Sequence, residues 1–420
     1  MNAASNSTLR EQGVTGAVLL QWRNPTDVLS ILLIVGGDVV QKALAQLSGG
    51  RLVPVAFSFG WVTYSLGALL SAVGDCRLMP STPDCPSIVV NTEAGYSRTN
   101  TSWMLGRILR DLEQKTPHGI QGLCITIYRA MPNTGTVRHD WVWYSGFIVI
   151  MLQLAVAAIP WAWRGNWLIL LATACGTLLA LSGGALPQWK AEKWACRPKS
   201  PETYCLLRGN GHQQVIVIES AGMGMNLEDL ASSRVPGLPF HRLLTTVLAT
   251  LWIVFLVTVA GLREDTWYLL AIGCMGMVQN IVAAGAARDP SVFGMALKHV
   301  GVIKGNKVMH VLMRTEELHP RVGATLVPIF FPGRLRESEY AFWDSKLMKA
   351  GAKPEMYSST NPQQATACLP EDATISGLEK EQAVAEETGL VRETRTEGTN
   401  AAEGPTAGSK PVQPFRRLSV

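Results

Sequence analysis

The chain has 420 residues, of which 47% are hydrophobic and only 16% charged, with 13 Trp and a formal net charge of +5. Soluble domains carry about 25% charged residues, so this composition excludes an ordinary soluble globule and points to a polytopic membrane protein with the lipid bilayer as its first partner. The basic residues are scattered through loops and form no stripe interleaved with aromatics, which argues against a nucleic-acid partner.

Residues 1–24 form a polar N-terminal segment. Its one apolar stretch, 14–20, is short and has no small-residue cleavage site after it, so no cleavable signal is read there. Residues 28–47 are apolar except around Asp38, Gln41 and Lys42. If this stretch spans a bilayer, Asp38 lies near its middle, where an acid costs about 2.5–3.5 kcal/mol and is a functional candidate by default. Charge-free runs follow at 52–74, 141–163, 166–188, 243–262 and 266–287. Each matches a helix crossing a hydrocarbon core of about 30 Å. Trp141, Trp143, Tyr144, Trp161, Trp163, Trp167 and Trp189 sit at their borders as interfacial girdles do. The links 48–51, 164–165 and 263–265 are short, whereas 75–140 and 190–241 are long.

This pattern predicts an all-α polytopic membrane protein with about six transmembrane helices in three hairpins: 25–74, 141–189 and 242–288. Two long extramembrane loops (75–140 and 190–241), a juxtamembrane region (289–350) and a disordered C-terminal tail (351–420) complete it. Six spans are preferred to five because the first segment fits the hairpin pattern only if it crosses. Gly60, Gly67, Gly176, Gly183, Gly184, Gly273 and Gly276 would let helices approach closely, although glycine is also simply common in membrane helices.

The loops give conflicting signs of orientation. Arg77, Arg107, Arg110, Lys190, Lys193 and Arg197 would place their side in the cytoplasm, but loops this long weaken the positive-inside rule. Asn6 and Asn100 stand in glycosylation sequons, and Cys76 with Cys85 and Cys196 with Cys205 share a spacing suited to small disulfide loops, all of which suit a lumen. Orientation stays open. Within the second loop, Gln214-Val-Ile-Val-Ile-Glu219 reads as a short strand, and Asn226 as the cap of a helix with an acidic first turn. Residues 307–317 and 335–349 read as helices after the last span.

Elimination disposes of the common chemistries. No aspartate-rich Mg-binding cluster, His-Glu-x-x-His, Cys-x-x-Cys or Gly-x-Ser-x-Gly motif stands out, and no cofactor or metal is expected. What remains are polar residues inside apolar segments. One reading is structural: Asp38 and Lys42 are spaced for an i,i+4 ion pair, and Gln153, Gln279 and Asn280 for interhelical hydrogen bonds. The other is a pocket in which Asp38 is a catalytic acid, Trp61, Tyr64, Gln153, Gln279 and Asn280 bind substrate, and the rings of Phe59, Trp61 and Tyr64 face a carbocation.

Three stretches carry a resemblance: Gly36-Gly-Asp-Val-Val-Gln-Lys-Ala-Leu-Ala-Gln-Leu47, Pro54-Val-Ala-Phe-Ser-Phe-Gly-Trp-Val62 and Gly74-Asp-Cys-Arg-Leu-Met-Pro80. They resemble a family of filamentous-fungal integral membrane proteins that includes the "synthesis protein A" membrane proteins of indole-diterpene clusters of the paxilline and aflatrem type. The resemblance implies an integral membrane component of terpenoid secondary metabolism that assists or performs a membrane-associated cyclisation. It also implies other membrane-bound enzymes of the pathway as partners and a multi-pass place in the endoplasmic reticulum or another endomembrane. It brings no catalytic signature, so enzymatic activity stays open, and a transporter or scaffold for hydrophobic metabolites is the alternative.

Overall fold

In a computed structural model of the chain, the described residues are 36–349 apart from 51, 116–121, 133–134, 136, 236, 238–239, 263 and 334. The polar segment 1–24, the start of the first apolar stretch, Asn6 and the tail 351–420 lie outside them. Among the described residues, four helices are long and apolar enough to cross a bilayer. They are α4 (Trp141–Arg164), α5 (Leu168–Gly184) with the short α6 (Pro187–Lys193) that continues it, α8 (His241–Ala260) and α9 (Thr266–Gly285). Asp140 caps α4 by accepting a hydrogen bond from the Trp143 N–H, and Gly165 ends that helix in the left-handed conformation, φ 72°. At the far end of the bundle, Asp265 ties the two short links together through Arg164 and Asn166.

The first expected hairpin is built differently. Helix α1 (Gly37–Leu47) has only 11 residues and begins after Gly36, whose φ of 105° lies where glycine is favoured. Helix α2 (Gly60–Val73) has 14 residues. At 1.5 Å per residue they reach about 16 and 21 Å, short of a hydrocarbon core of about 30 Å. Between them, residues 52–58 are not helical at all, and Val53, Val55, Ala56, Phe57 and Ser58 are buried within the bundle.

Non-helical backbone at this depth needs partners for its peptide groups. The Leu52 carbonyl accepts from the Trp143 indole at 3.3 Å, and the Ala56 carbonyl from Trp61 Nε1 at 3.0 Å and Asn280 Nδ2 at 3.1 Å. The Phe57 carbonyl accepts from Gln153 Nε2 at 2.8 Å. Glycines make the room. A Cβ on Gly276 would lie 1.8 Å from the Phe57 oxygen, and one on Gly146 2.1 Å from the Pro54 oxygen. Gly273 faces the Phe59 ring, Gly176 the Phe57 ring and Gly184 Val53 in the same way. Thus Gly176, Gly184, Gly273 and Gly276 admit the non-helical segment, whereas Gly183 against Trp61 and Gly60 against Gly36 serve close approach of helices as expected.

The all-α expectation fails in the loops, which form a six-stranded sheet of order β2-β1-β4-β5-β3-β6. Its strands are β1 (Ile88–Asn91), β2 (Ser97–Thr99) and β3 (Leu123–Ala130) from the first loop, β4 (Thr203–Leu207) and β5 (Gln214–Glu219) from the second, and β6 (Leu297–Gly305) after α9. Only β3 and β5 run parallel. Because one sheet draws on all three segments, they lie on one side of the bundle. Alternate residues of the central strands bury both faces: Ile216 and Ile218 join a core with Leu109 and Leu112 of α3 (Trp103–Lys115). Val215 and Val217 are equally buried. The remaining helices are α7 (Leu227–Ala231), α10 (Val308–Leu318), α11 (Val322–Phe330) and α12 (Glu337–Lys349). As the sequence predicted, Asn226 caps α7 by accepting from the Asp229 N–H, and α10 and α12 fall where helices were read.

Buried cations tie α3, α6 and the chain after α9 to the ends of α1, α4 and α9. Arg107 of α3, 1% exposed, donates to the carbonyls of Ala284, Gly285 and Ala286 at the end of α9 and pairs with Asp111 at 3.1 Å. Arg288 donates to the Gln46 carbonyl and grips Asp140 through two hydrogen bonds of 2.6 and 2.8 Å. Lys193 donates to the Gln46 and Ser48 carbonyls that end α1. Cations at helix C-termini satisfy orphan carbonyls and complement the helix dipole.

Candidate functional site

Helices α1 and α2 start at one point. A Cβ on Gly60 would lie 2.5 Å from the Gly36 oxygen, and one on Gly37 3.1 Å from the Tyr64 nitrogen. From there both helices run to the sheet side, where Tyr64 stacks on Trp189 of α6 with 6.3 Å between ring centroids. Between α1, α2 and the chain that follows α2 lies a cavity of about 570 Å³. Asp38 and Gln41 of α1, Thr63, Tyr64 and Gly67 of α2, and Asp75, Arg77 and Leu78 of the following loop line it.

The loop wall is fixed by its own hydrogen bonds. Gln41 donates to the Leu78 carbonyl at 2.8 Å, Ser71 donates to the Arg77 carbonyl, and the Glu192 carboxylate accepts from the Leu78 and Met79 N–H groups at 2.9 Å each. Arg77 reaches the Ser233 carbonyl at 3.0 Å. The site therefore holds two carboxylates, a guanidinium and a phenol beside apolar surface from Ala68, Leu70 and Met79. The Tyr64 hydroxyl is buried beside the Trp189 ring and is not itself open to the cavity.

The structure changes the meaning of Asp38. It does not sit mid-way along a spanning helix but in the first turn of α1, where the helix dipole favours an anion. The expected Asp38–Lys42 ion pair is not formed among the described residues; both side chains are exposed. Of the expected binding residues only Tyr64 lines the cavity. Trp61 is fully buried in a chain of rings, 5.6 Å from Tyr64 on one side and 5.6 Å from Trp252 on the other. Gln153 and Asn280 serve the extended strand, and Gln279 donates to Ser145 Oγ at 3.0 Å. Phe59 packs on Gly273, away from the cavity lining. Sequence reasoning missed Asp75 and Arg77 as site residues because they stand outside the apolar runs. Their only signal was their place in the third stretch of resemblance.

Two further expectations are corrected. Asn100 is 2% exposed, and its amide donates to Ser87 Oγ and the Ser102 carbonyl while accepting from the Ser102 N–H, so this fold leaves no room for a glycan there. Cys76, Cys85, Cys196 and Cys205 are free thiols. Cys205 is buried in β4, and Cys85 donates to the Gly106 carbonyl at 3.0 Å, with burial pushing its thiol up to about 11. Among the described residues no three His, Cys, Asp or Glu side chains gather as a metal ion would require. No protein-family model, curated protein or solved structure matches the chain.

Proposed function

We propose that this protein is an integral membrane component of fungal terpenoid secondary metabolism of the indole-diterpene type. On this reading the cavity between α1 and α2 receives an amphipathic intermediate at the membrane surface for a membrane-associated cyclisation. One observation carries the reading: stretches 36–47 and 74–80, two of the three that carry the family resemblance, line the cavity, and the third, 54–62, forms the strand and turn from which α2 starts. Apolar walls would hold the terpenoid body. Asp38, exposed at the cavity wall, would be the proton donor or the base. The chain would cross the membrane four times within the described residues, with residues 52–73 dipping to the level of Gln153 and Gly276 and returning to the sheet side. The endoplasmic reticulum or another endomembrane is the proposed location, and membrane-bound enzymes of the same pathway are the proposed partners.

Complementing a deletion strain with Asp38→Asn tests the acid or base role. Loss or redirection of the cyclised product at normal protein level is expected, and an unchanged metabolite profile would remove the catalytic version. A second reading, a scaffold or transporter for hydrophobic metabolites, is favoured by the large sheet layer outside the membrane. Intermediates accumulating in the deletion strain with cyclisation intact would select it.

A further inference from the structure

A second cavity, of about 440 Å³, lies at the carboxyl ends of the parallel strands β3 and β5. In sheets of this kind ligands bind in the crevice beyond the carboxyl ends of parallel strands, and small-molecule sites occupy about 300–1,000 Å³. Its walls come from Pro132 after β3, from Trp194, Cys196 and Pro198 after α6, and from Met223 and Met225 after β5. Burial pushes the Cys196 thiol up to about 11, so this wall is uncharged at neutral pH. The Trp194 indole N–H is already committed to the Phe293 carbonyl at 2.9 Å, which leaves its ring as apolar surface. Gly222 has φ 79° and no atom within 4 Å of the place its Cβ would take, so bare backbone borders the opening.

The acid nearest this apolar slot, Asp229, is paired with Arg197 at 2.6 Å, which leaves positive charge at the lining. Among the described residues Lys199 is the only charged one in the lining and is exposed, and the Lys190 ammonium stands 5.8 Å from the Trp194 ring centroid. Lys190 lies in α6, directly after the sheet-side end of α5, the level at which Trp and Lys sit at membrane surfaces. From this combination we infer that the cavity binds a single-chain anionic amphiphile of the fatty-acid type, its chain along Trp194, Met223 and Met225 and its carboxylate on Lys199. The site is separate from the cavity that holds Asp38 and does not depend on the reading given to it.

Full-length protein in nanodiscs of zwitterionic lipid, irradiated with a diazirine-bearing palmitic acid and mapped by peptide mass spectrometry, tests this. Cross-links should concentrate on residues 194–199 and 222–225 and be competed by oleate. Oleyl alcohol should compete about tenfold less well, and Lys199→Glu should lower labelling by a similar factor, as loss of one charge-assisted contact implies. Because Lys199 is exposed, that variant should fold. Met223→Trp, at a half-exposed position, should block the slot while leaving circular dichroism unchanged. Labelling confined to the lipid-facing sides of the four long helices, or equal competition by the acid and the alcohol, would overturn the proposal.

Discussion

Replacing Gly276 by alanine would test whether an extended strand runs through the bundle. The added Cβ would stand 1.8 Å from the Phe57 oxygen, 2.7 Å from its carbonyl carbon and 2.8 Å from Gln153 Nε2. Two of these atoms are backbone, and the third donates to the Phe57 and Ile272 carbonyls, so relief requires the strand to move off α9. Overpacking of a filled interior costs about 1–3 kcal/mol. Losing the Gln153 bond adds about 0.6–1.7 kcal/mol on the scale measured within membranes. Alanine returns about 1 kcal/mol of helix propensity. The net loss is about 2 kcal/mol, roughly thirtyfold in the folding equilibrium. Gly67 is the internal control, since nothing lies within 4 Å of its added Cβ; Gly67→Ala should be neutral or stabilising by up to about 1 kcal/mol. Unfolding of both variants by SDS titration from mixed micelles gives the comparison. Equal stability of the two would refute the strand's position against α9.

Other substitutions probe the same architecture. Gln153→Leu should destabilise by about 1–3 kcal/mol in that titration, because the Phe57 carbonyl loses its donor, whereas Gln279→Leu should cost only about 0.6 kcal/mol. Arg107→Met should cost about 3–5 kcal/mol by stranding Asp111 and three helix-end carbonyls, seen as loss of monodisperse protein on size-exclusion chromatography. Burial alone would raise the Asp140 pKa, but the hydrogen bonds and charge of Arg288, with the Trp143 N–H, hold it below its ordinary 3.8. A carboxylate depressed on folding stabilises above its unfolded pKa and loses that stabilisation as pH falls through the folded value. The stability gap between wild type and Asp140→Asn should therefore stay flat from pH 7 to about 5 and close below about 4. A gap that widens on acidification would contradict the pairing.

The sequence carried the four long helices plainly, because charge-free runs bordered by Trp leave a helix as the only way to satisfy every backbone group in lipid. It also carried β5 and the Asn226 cap, where Gln-Val-Ile-Val-Ile-Glu is followed by Gly-rich turn residues and a capping side chain. Residues 52–59 were illegible for a physical reason. Hydropathy measures transfer from water, not backbone conformation, and Pro54-Val-Ala-Phe-Ser-Phe is as apolar as a helix. Pro54 and the β-branched and aromatic neighbours were the available clue. The sheet was hidden because its central strands bury both faces, so β3 shows a mixed run and not the alternation of a half-exposed strand. The intramembrane amides were read in part: Gln153 donates to the Ile272 carbonyl and Gln279 to Ser145 Oγ, both between α4 and α9 as a structural role predicts. What the apolar pattern concealed is the further partner, the non-helical segment 52–58, whose Phe57 and Ala56 carbonyls accept from Gln153 and Asn280.

Occupancy of the cavity between α1 and α2 is the claim on which the functional account rests, and a cysteine placed at Gly67 measures it directly. This residue lines the cavity, and its added Cβ meets open space. Maleimide labelling of Gly67→Cys is read residue by residue by mass spectrometry, in microsomes from the producing fungus and from a strain blocked before the terpenoid intermediates form. The account predicts slower labelling at position 67 when the intermediates are present, with the rate at a second cysteine placed at exposed Ala94 unchanged. Equal rates at position 67 in the two strains would contradict it.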